Sequence, residues 1–117
     1  MLLWLTILVV VIIGELLPGS SPPIRLLSGP HSEDKFIHFG AYVVLAFLPV
    51  FGLPLRTAVQ CVIATELIGL SLEVIQHFLP DRSCDLYDAA ANTAGVLAGV
   101  AVAIVARSRV AQKCQGS

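Results

Sequence analysis

Four stretches of this chain are almost uniformly apolar: Leu2 to Leu17, Phe36 to Leu55, Ala58 to Leu79 and Leu86 to Ala106. A helix crossing a bilayer needs about 20 apolar residues, within a range of about 17–25. The last three runs fit that length, while the first is short and closes on Gly14-Glu15. Pro49 and Pro54 predict a kink or an early end in the second helix, tolerable where neighbouring helices cover the freed carbonyls. The short Arg56-Thr57 link makes the second and third helices an antiparallel hairpin. Pro18 to Lys35, with Pro18-Gly19, Pro22-Pro23 and Gly29-Pro30, is the one sizeable loop. The first run lacks a basic start and a small-residue cleavage site before Pro18, so a retained helix is expected there, not a signal peptide. The pattern therefore predicts an all-α integral membrane protein. It should be a four-transmembrane-helix bundle, one domain over residues 1–117, with both termini on the same, cytoplasmic, side.

Composition sharpens this expectation. Only 13% of residues are charged, 56% are hydrophobic and the mean hydropathy is +0.87. Soluble domains carry about 25% charged residues, so the deficit implies a lipid-facing surface. A net charge of −1 offers no basic field for nucleic acid, and no such partner is expected. Cys61, Cys84 and Cys114 are an odd number without metal-ligand spacing, and read as scattered thiols. The side holding the termini carries Arg56, Arg107, Arg109 and Lys113 without acids; the other carries Arg25, Lys35 and Arg82. This bias is small, and it favours termini in the cytoplasm.

Polar residues gather on the opposite, outer side. Glu15 ends the first helix, and Asp34, Lys35, His38 and Tyr42 open the second. Glu73, Gln76 and His77 end the third, and Asp85, Asp88 and Asn92 open the fourth. Asp34, His38 and Tyr42 step by four and so share a stripe. Asp85, Asp88 and Asn92 form another stripe that runs into a Gly95-xxx-Gly99 close-packing face. At 1.5 Å per residue, Glu73 and Asn92 should lie about 9–10 Å below the outer interface, with Glu66 near the midplane. Charges at such depth are costly and mark functional sites by default. Arg82 is expected to fork onto the carboxylates.

Two segments, DKFIHFGAYVVLA (34–46) and LEVIQHFLPDRSCDLYDAAANTAGVLAG (72–99), resemble the signature blocks of VanZ-like membrane proteins. The matching positions are Asp34, Lys35, His38, Phe39 and Tyr42; Glu73, Gln76, Pro80 and Arg82; and Asp88, Asn92 and Gly95. Asp81 stands where the family often has Gly before the Arg. The resemblance implies a small multi-pass protein of the bacterial cell envelope, in the cytoplasmic membrane. The family is named for a protein linked to low-level teicoplanin resistance, and its molecular activity is undefined. The resemblance supplies a setting and leaves the chemistry to the residues.

Three functional readings follow, besides that of polar residues serving only as interhelical glue. In the first, Lys35, His38, Tyr42, Glu73, Gln76, Arg82, Asp88 and Asn92 bind the head of an anionic membrane lipid or lipid-linked wall precursor. In the second, the chain is a hydrolase of a lipid phosphate or ester. His38 or His77 is then general base, Glu73 or Asp88 assists, and Arg82 stabilises developing charge. Ser83 is a weak nucleophile candidate, with no motif around it. In the third, Glu66 and Glu73 relay protons in a small transporter, for which four helices would require a homo-oligomer. No metal or cofactor is expected, since nothing fixes a third ligand beside His38 and His77.

Overall fold

A computed structural model describes residues 1–16, 31–78 and 86–116, the side chains of 31–35 excepted. Four helices account for them: α1 (Leu2–Leu16), α2 (His31–Gly52), α3 (Leu55–Gln76) and α4 (Leu86–Gln115). The all-helical expectation is met among the described residues. Helix bounds differ from the apolar runs for local reasons. α2 starts at His31 because the polar residues before Phe36 continue the helix without being apolar. α4 continues beyond Ala106 to Gln115, since RSRVAQKCQ contains no Gly or Pro to stop it. The break between α2 and α3 falls at Leu53-Pro54, earlier than Arg56-Thr57, with Pro54 as the N-cap of α3.

The expected span lengths are met by two of the four helices. Leu55–Gln76 and Leu86–Gln115 are long and apolar enough to cross a membrane, whereas Leu2–Leu16 and Phe36–Gly52 are shorter apolar helices. Fifteen residues of α1 give roughly 22 Å, against a hydrocarbon core of about 30 Å. The outer surface is nonetheless apolar on every helix, with Leu2, Val10, Phe36, Leu55, Leu67, Val74, Leu97 and Val102 all exposed. That is the surface of a membrane protein.

Contacts fix the helix directions. Glu15 of α1 meets His38 and Tyr42, while Trp4 reaches Leu45, so α1 and α2 are antiparallel. Gly95 of α4 lies against Phe39 and Tyr42, and Gly99 against Val43 and Ala46, so α2 and α4 run parallel. Tyr42 packs on Gly69 of α3, and Leu45 shares a core with Trp4, Leu8 and Cys61. Successive helices thus alternate in direction. α2 touches all three others and is the axis of the bundle.

The Gly95-xxx-Gly99 face packs as its spacing predicts. A Cβ at Gly95 would lie 2.6 Å from the Phe39 carbonyl oxygen, and one at Gly99 would overlap the Val43 carbonyl oxygen. These glycines bring the α4 backbone directly onto α2, with Tyr42, Ala46 and Val96 closing a second core.

α2 ends early, at Gly52 ahead of Pro54, but Pro49 does not end it; the helix runs through Pro49, which is buried inside. Proline has no N–H, so the carbonyl four residues back, Leu45, loses its helical donor. The indole N–H of Trp4 donates to that oxygen at 3.0 Å. At the end of α2, Arg107 of α4 donates to the carbonyls of Val50 and Leu53 at 3.0 and 3.1 Å. Those acceptors lie where a helix has no donors of its own and carries partial negative charge.

The first bond gives a measurable coupling. Trp4→Phe should destabilise the detergent-solubilised protein by about 1–3 kcal/mol, because it leaves a buried carbonyl without a donor. In a Pro49→Ala background the restored backbone N–H can reach Leu45, and most of that cost should vanish. An equal cost of Trp4→Phe in both backgrounds would refute this role for Trp4.

Candidate functional site

The alternating directions bring the C-terminal ends of α1 and α3 beside the N-terminal ends of α2 and α4. Glu15, in the last turn of α1, is 4% exposed and lies at the centre of a polar cluster. Its Oε1 sits 3.2 Å from Nδ1 of His38 and accepts the Tyr42 hydroxyl, also at 3.2 Å. An ionised Glu15 only accepts, and in that state the His38 proton sits on Nδ1. Gln76 donates through Nε2 to the backbone carbonyl of Glu15 at 2.9 Å. That carbonyl belongs to the last turn of α1, where no helical donor remains. One residue thus ties α1 to α2 through its side chain and to α3 through its backbone.

Each partner is placed by its own helix. His38 and Tyr42 are one turn apart on α2, and both are buried. The Tyr42 ring lies against Gly69, where a Cβ would come within 2.8 Å of Cε1. Glu73 stands one turn beyond Gly69 on the same buried face, and Gln76 follows it. On α4, Asn92 precedes Gly95 on the buried stripe, so the parallel register sets it level with the first apolar turn of α2.

Some polar atoms of the cluster are buried with no hydrogen bond among the described residues: Glu15 Oε2 and both side-chain atoms of Asn92. Asn92 is 3% exposed, so bulk water does not serve it. Buried amides are almost always hydrogen-bonded, and one that is not points to a missing partner.

Other sequence candidates fall elsewhere. His77 is exposed, its ring edge-on to Phe78 at 5.3 Å, and stands apart from the cluster. Asp88 is half-buried in the first turn of α4, where the helix dipole favours an acid. Glu66 is also half-buried, and its Oε1 accepts the Thr93 hydroxyl at 2.6 Å. The side chains of Asp34 and Lys35, and all of Pro80, Asp81, Arg82, Ser83, Cys84 and Asp85, lie outside the described residues. Among the described residues no group of three or more His, Cys, Asp or Glu is placed to hold a metal.

Sequence reasoning placed Glu15 at the polar end but did not count it as a site residue. Its one available signal was an acid in the last turn of a helix with no other charge. Thr93 gave no signal, since a threonine beside an asparagine in an apolar run is unremarked until α3 is packed against it.

Apolar outer faces and buried polar groups at one end of alternating helices define a helical membrane protein with a polar-ended bundle. Residues 4–107 match the family model described as VanZ/LLP1, and the chain belongs to that family. No curated protein and no solved structure gives a significant match.

The hub assigns unequal costs to its members. Tyr42→Phe keeps the ring on Gly69 and should cost about 0.5–1.5 kcal/mol in detergent unfolding. Glu15→Ala strands two buried donors and should cost more, roughly 2–4 kcal/mol. Once Glu15 is gone, Tyr42→Phe should add little. Full additivity of the two changes would show that the 3.2 Å bond carries no energy.

Proposed function

We propose that this chain is a four-span protein of the bacterial cytoplasmic membrane, with both termini in the cytoplasm. Its Glu15-centred cluster holds the polar head of an anionic envelope lipid or lipid-linked wall precursor. Asn92 is the observation that carries this reading. An amide 3% exposed, with neither atom bonded among the described residues, is suited to a ligand that brings both a donor and an acceptor. Lys35, three residues before His38, and Arg82, in the α3–α4 connection, supply the positive charge for a phosphate. Glu73 and Asp88 orient these cations, while Gln76 and Tyr42 fix the wall of the site. The two shorter helices span by drawing polar flanking residues to the interface, as hydrophobic mismatch allows. A wall precursor as ligand would also connect the chain to glycopeptide tolerance.

Asn92→Leu separates this reading from interhelical glue. Leucine fills similar volume without polar atoms. If Asn92 serves a ligand, the variant should fold at least as stably, and native mass spectrometry from its own membrane should show lipid retention lower by about tenfold, the value of one good hydrogen bond. Arg82→Ala should abolish retention in a folded protein. Loss of stability in Asn92→Leu, with an unchanged lipid spectrum in both variants, would leave glue as the role.

A hydrolase is the second reading, favoured by the pairing of Glu15 with His38 Nδ1. A carboxylate on Nδ1 orients an imidazole so that any proton transfer runs through Nε2. Release of phosphate or fatty acid from membrane lipids should then fall by about 10²-fold or more in His38→Ala. Turnover that survives this change removes the reading.

A further inference from the structure

We propose a second lipid site at the opposite end of the molecule, on the outer face of α4, for an acidic phospholipid of the leaflet beside the termini. Ala101, Val102, Val105 and Ala106 line a shallow groove of about 430 Å³, and Arg109 closes it. The alanines leave the space, and Val102 and Val105 form its walls, both about half exposed. Val102, Val105, Arg109 and Lys113 step by three or four, so the two cations continue the stripe that the groove begins. Arg107 is turned away, its guanidinium held by the Val50 and Leu53 carbonyls.

Length places this stripe at a membrane surface. About 30 Å of hydrocarbon takes roughly 20 residues of helix, so a core entered at Leu86 is left near Ala106. The groove then lies in the last turns of the hydrocarbon, and Arg109 and Lys113 in the phosphate layer. No acid follows Asp88 in the sequence, and Arg56 adds a further cation at this end. An apolar slot ending on two unopposed cations matches one acyl chain joined to an anionic phosphate. A neutral lipid would satisfy only the slot, and a soluble anion only the cations. This inference rests on α4 crossing the membrane and is independent of what the Glu15 cluster binds.

The test reconstitutes the full chain in nanodiscs of equal phosphatidylglycerol and phosphatidylcholine, then reads the retained lipid by native mass spectrometry. The wild type should retain phosphatidylglycerol preferentially. Arg109→Gln with Lys113→Gln should lower that preference on the order of 30-fold, about fivefold for each cation near an anionic surface. Arg56→Gln, off the stripe, should change it little. Ala101→Trp, which fills the groove and leaves the cations intact, should also reduce retention, and millimolar inorganic phosphate should not displace the lipid. All four positions are exposed, so circular dichroism should show unchanged helicity. An unaltered preference in the Arg109, Lys113 double variant would overturn the proposal. So would normal retention in Ala101→Trp combined with displacement by phosphate, which would reveal a simple anion site. In an Asn92→Leu background the Arg109, Lys113 double change should lower the preference by the same factor as in the wild type, so the failure of one site is distinguishable from that of the other.

Discussion

The Leu45 carbonyl is the point on which the bundle turns. Pro49 removes its helical donor near the C-terminal end of α2, the helix that touches all three others, and hydrocarbon offers no water in exchange. Trp4 supplies the missing N–H from α1. The same bond sets how far α1 slides along α2, and so brings Glu15, near the other end of α1, to His38 and Tyr42. A proline that would weaken an isolated helix here specifies which helix must lie beside it.

α2 can serve as the axis because its neighbours give way to it. Gly69, Gly95 and Gly99 remove the side chains that would hold α3 and α4 at a distance. Tyr42, Leu45 and Ala46 are then enclosed almost completely. Close backbone approach matters more in a membrane than in water, since lipid competes equally for apolar contact and packing alone must favour the protein neighbour. Arg107 fastens the far end of the same helix by taking up carbonyls that the helix itself cannot satisfy.

The two ends of the bundle are therefore chemically unlike. At one, carboxyl, imidazole, phenol and amide groups are drawn inward, and several of them are bonded to one another. At the other, cations stand on the outside of α4 or cap α2. Hydrogen-bonding groups that converge from separate helices hold a fixed mutual geometry, whereas cations along one exposed stripe face outward from a single helix. His38, Tyr42, Glu73, Gln76 and Asn92, five of the positions on which the sequence resemblance rests, are all buried at that first end.

Much of this was legible along the chain. Apolar run length gave the helices, i,i+4 spacing placed His38 and Tyr42 on one stripe, and Gly95-xxx-Gly99 gave the packing face, because these depend only on local periodicity. Helix ends were less legible, since polar residues such as those before Phe36 and after Ala106 continue a helix without being apolar. The acceptor for Trp4, the hub role of Glu15, the bond between Thr93 and Glu66 and the separation of His77 from its neighbour Gln76 came only with the tertiary structure. Each depends on which helices lie side by side and at what height. In this chain that is decided by contacts between residues tens of positions apart, a freed carbonyl and three glycines foremost among them, and no periodicity within one helix encodes them.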